Sequence, residues 1–333
     1  MYFLLGISLM LALLLVLNVA ASAATTAFWR VISKRAKNWT ANRQARIIFA
    51  LRTVPFVGAL IFVIAFLLPA YLLFEPYSTK ETVGVKLALL AGVSAIGIGI
   101  AVFRVFGSWW RTKRLVTDWL ADAEPISIKD VSIPVYLIQH PFPVIAVVGV
   151  FRPRMFVASQ IFVSLDQEEF RAAIRHENGH LAARDNFKRT LMLLCHDLLV
   201  FPCGRSLDHA WTENVECAAD EYAAQTGNAS AALNLASALV KIARIVPPDS
   251  KPVMPAGAFL IEAKTTNITS RVHYLLRLAE TKIVPAKYYC FRLENTFWIY
   301  ASVIVALGFV SATNQDILYK IHIILENLVH ILQ

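Results

Sequence analysis

The chain is poor in charge and in cysteine. Only 17% of its 333 residues are Asp, Glu, Lys or Arg, against 57% hydrophobic, whereas a domain surrounded by water carries about 25% charged residues. That balance excludes an ordinary soluble fold and places the chain in a membrane. The four cysteines, Cys195, Cys203, Cys217 and Cys290, contain no C-x-x-C pair. Neither a cysteine zinc knuckle nor a disulfide framework is indicated, which suits a reducing compartment. No nucleic-acid-binding motif accompanies the formal charge of +9, so direct nucleic-acid binding is not expected. The basic excess lies beside apolar runs, where Lys and Arg favour the cytoplasmic leaflet and its anionic lipids.

What the chain has in quantity is long apolar runs. Tyr2–Ala24, Thr53–Phe74, Leu87–Phe103 and Phe297–Ala312 are each predicted to span a bilayer; the third is rich in the small residues that let membrane helices pack closely, and the fourth carries Trp298 and Tyr300 near one interface. Ala21-Ser22-Ala23 resembles a leader cleavage site, but the extreme N-terminus lacks the basic residues of a leader, so retention as an anchor is expected. Arg30, Lys34, Arg35, Lys37, Arg43 and Arg46 follow with no acid among them. By the positive-inside rule that loop is cytoplasmic, the N-terminus is outside, and the segment after the third span returns to the cytoplasm, as Arg111, Lys113 and Arg114 support independently.

Five residues concentrate the chemistry. His176, Glu177, Asn178, Gly179 and His180 read H-E-x-x-H within a segment, Ser164–Arg184, predicted to be one helix with Ser164 as its N-cap. Histidines at i and i+4 share a helix face, so both imidazoles can reach one tetrahedral zinc ion while Glu177 lies beside it as general base. Gly179 costs about 1 kcal/mol relative to Ala inside a helix, which a close neighbour would explain. A third ligand is expected from the helix Trp211–Gln225, where Glu216 and Asp220 stand at i and i+4. Glu216 would bind the metal and Asp220 would accept the outer N–H of a ligand histidine. The alternative, that these acids only solvate a surface helix, is countered by the small residues interleaved with them, Cys217, Ala218, Ala219, Ala223 and Ala224, which permit close packing. His209 and Tyr222 are candidates to steady an oxyanion, and His196 is a competing ligand. Between the third span and the first histidine, Val135–Ile138, Val144–Val148 and Met155–Ala158 read as short strands of a small antiparallel sheet. Val144–Val148 is the candidate edge for a bound peptide, with an ordinary core strand as the equal alternative.

Taken in order, Phe151–Val157 (FRPRMFV), Glu169–Asn186 (EFRAAIRHENGHLAARDN) and Glu213–Asp220 (ENVECAAD) resemble the antirepressor-type membrane zinc metallopeptidases of the bacterial β-lactam-sensing BlaR/MecR family. The likeness covers Leu137–Gln225 at motif level, together with the arrangement of spans. It implies one zinc ion per chain on His176, His180 and Glu216, with Glu177 as general base and Asp220 behind a ligand. Asn178 and Gly179 replace a more usual apolar pair, and Cys217 stands earlier than in the family's common order.

The expected architecture is mainly α: a polytopic membrane protein with four transmembrane helices and a cytosolic α+β zinc metallopeptidase domain bearing a small antiparallel sheet. It divides into residues 1–106 with three spans, 107–293 as the peptidase domain, and 294–333 with the fourth span and a short amphipathic tail on the outer membrane surface or against a partner. The expected function is site-specific endoproteolysis of a cytosolic or membrane-proximal protein in signal transduction at the bacterial inner membrane, a transcriptional repressor or the chain itself being candidate targets, with a repressor or sensor as partner. Two other readings compete: a quality-control peptidase resembling the HtpX and prenyl-protein peptidases, and a non-catalytic scaffold with a vestigial site. After the last span only the short tail is expected, where the β-lactam receptors carry a large soluble sensor, so direct β-lactam sensing is not expected.

Overall fold

The computed structural model describes residues 2–36, 38–76, 82–196, 205–245, 265–280 and 314–332, with short helical pieces between 302 and 310. Three of its helices are long and apolar enough to cross a membrane. These are α1 (Tyr2–Ala36), the run Ala41–Phe74, and α4 (Val85–Ala121). The second consists of α2 (Ala41–Phe62), one π-helical turn at Val63–Leu67 and α3 (Leu68–Phe74). Pro55 sits inside α2, and Pro69 lies in the first turn of α3, where its missing N–H is tolerated. Most of the expected fourth span, Phe297–Ala312, lies outside the described residues.

At 34 to 37 residues and 1.5 Å per residue, each long helix measures about 50 Å, against a hydrocarbon core of about 30 Å. About two fifths of each therefore projects beyond the hydrocarbon core. The boundary expected at residue 106 falls inside α4, which continues unbroken to Ala121. These projecting ends are structural members of the peptidase region. Trp29 and Ala36 of α1 and Ala45 and Ile48 of α2 share one buried cluster with Met192, Leu207, Trp211 and Val215.

After α4 come four strands: β1 (Glu124–Ile126), β2 (Val135–Ile138), β3 (Ile145–Val148) and β4 (Arg154–Ala158). They form one sheet in the order β1-β2-β4-β3. The expected all-antiparallel sheet is corrected here, because β2 and β4 run parallel. The chain leaves β2, passes the position that β4 later fills, and returns through the β3–β4 hairpin, so β4 inserts between its predecessors. Gly149, at φ +106°, makes the hairpin turn; a Cβ there would stand 2.9 Å from the Arg152 carbonyl oxygen. The sheet packs on α5 (Ser159–Ser164), α6 (Gln167–Ala183) and α9 (Ala231–Ile245) through Met155, Phe156, Val157, Ile161, Ala173 and Ile174, all nearly fully buried.

Helix α6 starts later than its sequence suggested. Asp166, not Ser164, is the N-cap, closing a capping box with Glu169; Ser164 ends the separate helix α5. Both segments carry a capping signature, and Asp166 satisfies two N–H groups, those of Glu168 and Glu169. Helices α7 (Asp185–His196), α8 (Arg205–Thr226) and α10 (Thr265–Glu280) complete the peptidase region. The tail helix α11 (Gln315–Leu332) is expected to lie on the outer surface or against a partner; instead Leu318, Leu325 and Val329 bury themselves among Tyr2, Leu5, Val63, Leu67 and Tyr71. This chain's own membrane helices cover that part of the apolar stripe, while Ile317 and Ile324 stay exposed.

Candidate metal centre

Helix α6 presents the two histidines and α8 presents the acid opposite them. His176 Nε2 and His180 Nε2 are 3.2 Å apart. Glu216 Oε2 lies 3.7 Å from His176 Nε2, and Glu216 Oε1 lies 3.7 Å from His180 Nε2. Ligands at about 2.0–2.1 Å from a tetrahedral zinc ion stand about 3.3 Å from one another, so the triangle has the right size for one ion. The histidines are 1% and 4% exposed, and each Glu216 oxygen faces one of them. On these observations the donor set fits zinc.

The approach of α8 to α6 is possible because of Gly179. A Cβ there would stand 3.1 Å from Ala219 Cα and 3.2 Å from Tyr222 Cβ. The glycine inside H-E-x-x-H is therefore the place where α8 crosses. Asn178, the other unusual residue of the motif, donates from Nδ2 to the Asp130 carbonyl at 3.1 Å, anchoring the loop between β1 and β2.

Each of the two histidines has its own acid. Asp220 Oδ1 is 3.0 Å from His176 Nδ1, and Asp185 Oδ2 is 2.9 Å from His180 Nδ1. Such partners hold the ring with Nε2 turned toward a metal. Asp185 belongs to the Arg-Asp pair that closes the α6 block. Arg184 takes the left-handed conformation at φ 54° and ends α6, which brings Asp185 to the start of α7.

Arg271, on α10, was not anticipated. It donates to both oxygens of Asp220 at 2.9 and 2.6 Å, and its Nη1 is 2.9 Å from Glu216 Oε2. It lies 51 residues beyond Asp220 and belongs to no fixed-spacing motif. Charge balance offered the signal: Glu177, Asp185, Glu216 and Asp220 in one buried site require more positive charge than two histidines supply. Lys188, 3.4 Å from Asp185, answers the same need.

These charges set the proton affinities. Burial drives Glu177 upward and outweighs the nearby imidazoles. Burial alone would also raise Glu216 and Asp220, but Arg271 and His176 reverse it and hold both below the ordinary carboxylate range. His176 goes the other way. Burial lowers it, yet Asp220 and Glu216 together raise it to about 9. Burial pushes the Cys217 thiol up to about 12, so the cysteine beside the third acid is an inert thiol.

Glu177 also touches the sheet. Its Oε2 accepts from the Val147 N–H at 3.3 Å, and Asn186 Nδ2 donates to the carbonyls of Val147 and Gly149 at 2.9 and 3.2 Å. Because the Ala158 N–H bonds the Val144 carbonyl, the alternation of an antiparallel pair turns the main-chain groups of Ile145 and Val147 away from β4. Strand β3 is thus an edge of the sheet, as one sequence alternative had it, and that edge faces the metal centre. Its side chains are all buried.

Of the other candidates, His209 is largely exposed and pairs with Glu213 at 3.4 Å, away from the centre. Tyr222 packs over Gly179. The His196 side chain lies outside the described residues.

A model of peptidase family M48 matches residues 111–277, just over half of the chain. The chain belongs to peptidase family M48. The matched segment runs from the projecting end of α4 into α10 and includes His176, Glu177, His180, Glu216, Asp220 and Arg271. M48 peptidases are zinc-dependent metallopeptidases, and with three apolar helices ahead of most of this segment the chain is a membrane-anchored member of that class. No curated protein matches the chain.

Proposed function

We propose that the protein is a zinc endopeptidase that cuts proteins at the cytoplasmic face of the bacterial inner membrane, with His176, His180 and Glu216 as metal ligands and Glu177 as general base. The triangle of ligand atoms beside a buried carboxylate is the observation that carries this reading. Zinc held there supplies a Lewis acid and lowers the pKa of a water molecule toward neutrality. Glu177 accepts the proton of the attacking water, and burial, which favours its protonated form, helps it hold that proton until the leaving amine takes it. Asp220 and Asp185 keep the two rings aligned throughout. A peptide added along the outer edge of β3 would take over the Val147 N–H from Glu177 and free that carboxylate for its task.

The cytoplasmic assignment rests on the basic loop after α1. The N-terminus of α2, which closes that loop, is hydrogen-bonded to α8 of the peptidase region, so loop and metal centre share a side, and basic loops are cytoplasmic.

Metal analysis of the purified full-length chain is expected to find zinc in the wild type and none in His176→Ala. A zinc-free wild type would leave a scaffold with a vestigial site. Glu177→Gln is expected to retain zinc and lose about 10²–10⁴-fold in turnover. Expressed in membranes, that variant also serves as a trap. A captured transcriptional repressor, or fragments of the chain itself released in the wild type and missing in Glu177→Gln, would establish the signalling role to which the Arg152-Pro153-Arg154 turn and the Arg184-Asp185 pair point; an assortment of captured damaged membrane proteins would establish quality control instead.

A further inference from the structure

Helix α8 is held between two neighbours of different character. Toward α6 it presents Ala219 against Gly179, with Asp220 beside His176. Toward α2 it has two polar clamps. At its far end Glu221, 6% exposed, accepts from the Ala41 N–H at 2.9 Å and the Asn42 N–H at 3.5 Å, and also from the Tyr274 hydroxyl on α10. At its near end Asp208 accepts from Arg52 Nε at 2.6 Å, and Arg52 is 3% exposed although it belongs to a helix that enters the membrane.

The two clamps are in register. Asp208 and Glu221 are separated by about 20 Å along α8, and Arg52 and Ala41 by about 16 Å along an antiparallel α2. Trp211 and Val215 pack on Ala45 and Ile48 between them, and Glu216 lies in the same interval. Helix α2 has no acidic residue in its first turn, so Glu221 supplies from another helix the negative charge that the exposed N–H groups and dipole favour there. Buried charged pairs add little net stability, yet they fix register. Register matters greatly here, since a slip of one residue along α8 rotates Glu216 by about 100° and carries it away from the histidines.

Building on the zinc reading above, we infer that Glu221 and Asp208 are positioning residues that fasten α8 to the membrane helix α2, so that the membrane hairpin of α1 and α2 sets the place of Glu216 in the metal centre. A displacement of that hairpin then reaches the metal ligand through a rigid helix, which gives the spans a control on the site in addition to anchorage.

The test is zinc affinity of the full-length chain in lipid nanodiscs, by competition with a chromophoric chelator, alongside the melting temperature of the metal-free protein. Glu221→Ala is expected to weaken zinc binding about tenfold or more, and Glu221→Gln, which keeps an acceptor oxygen, to recover part of that loss. Arg52→Asp and Asp208→Arg are each expected to weaken binding, and the two together to restore most of it. A purely structural role would lower the melting temperature and leave zinc affinity where it was. Zinc affinity equal to wild type in Glu221→Ala and in both single charge reversals overturns the proposal, as does a double reversal that restores nothing. If those variants do not fold, Glu221→Gln and Tyr274→Phe keep the packing, and equal affinity in both overturns it. A wild type without zinc overturns the metal reading and this inference together, whereas a zinc-binding wild type with unaffected variants overturns this inference alone.

Discussion

His176 shows how a single side chain ties the metal centre to pH. With its value raised to about 9, it is protonated at neutral pH in the metal-free chain, and that proton must leave before Nε2 can bind zinc. Zinc affinity is therefore expected to rise with pH across the neutral range and to level off above about 9, with a proton released per ion bound. Calorimetry in buffers of different ionisation enthalpy reads this directly. Stability of the metal-free chain has the opposite sign. A raised histidine value contributes stabilisation that is complete below the ordinary value of 6.5 and is lost as pH climbs through about 9. Arg271 is the other residue on which the site depends. Removing it leaves Asp220 and Glu216 buried without their cation, so Arg271→Ala is expected to cost about 3–5 kcal/mol of stability in the metal-free protein. Arg271→Lys should rescue little, because a point charge cannot replace the fork that holds both Asp220 oxygens. Denaturant unfolding of the two variants checks both statements.

Among the elements, the crossing of α6 and α8 is the most exacting. Gly179→Ala would gain about 1 kcal/mol of helix propensity. Against that, the new methyl would press on the Ala219 backbone at 3.1 Å, and α8 cannot retreat while it is fastened to α2 on its other side. Overpacking of this kind costs about 1–3 kcal/mol, so the net expectation is destabilisation together with weaker zinc binding as Glu216 is pushed outward. A substitution that lowers the melting temperature with unchanged zinc affinity would show that α8 gives way along some other direction. The sheet illustrates a different limit. Three short apolar runs predict three strands, but pairing order depends on contacts across the sheet, and β4 inserted where a simple meander would have left β2 beside β3. Local pattern also placed the start of α6 too early, since Ser164 and Asp166 are both good caps and only the surrounding packing chose between them.

For the whole molecule, membrane and peptidase regions are one construction. The projecting ends of α1 and α2 cover Leu207, Trp211 and Val215, and Ala41 and Arg52 neutralise Glu221 and Asp208. A chain cut to residues 111–277, the segment that matches the family model, is therefore expected to expose that apolar face, to aggregate when expressed alone, and to bind zinc weakly if kept soluble with detergent. Size-exclusion chromatography and zinc content of the fragment against the full chain test this. A soluble, monomeric fragment with wild-type zinc affinity would show that the peptidase region needs nothing from α1 and α2. The tail helix follows the same logic, since Leu318, Leu325 and Val329 are buried against the membrane helices of its own chain.

The sequence by itself determined what is local and periodic: membrane residence, from composition and long apolar runs; the pairing of His176 with His180 on one face, from their spacing; the reason for Gly179, from its cost inside a helix; and Glu216 with Asp220, from an i, i+4 pair on a helix of small residues. Tertiary structure alone decided what depends on distant segments meeting. It brought Arg271 to the acids of α8, gave Asp185 to His180, set β4 between β2 and β3, and joined Glu221 to the start of a membrane helix 180 residues earlier. The division has a physical cause. Helical periodicity and capping are encoded within a few residues, whereas buried charge must be neutralised by whatever cation or N–H group folding brings near, and no spacing along the chain announces which one that will be.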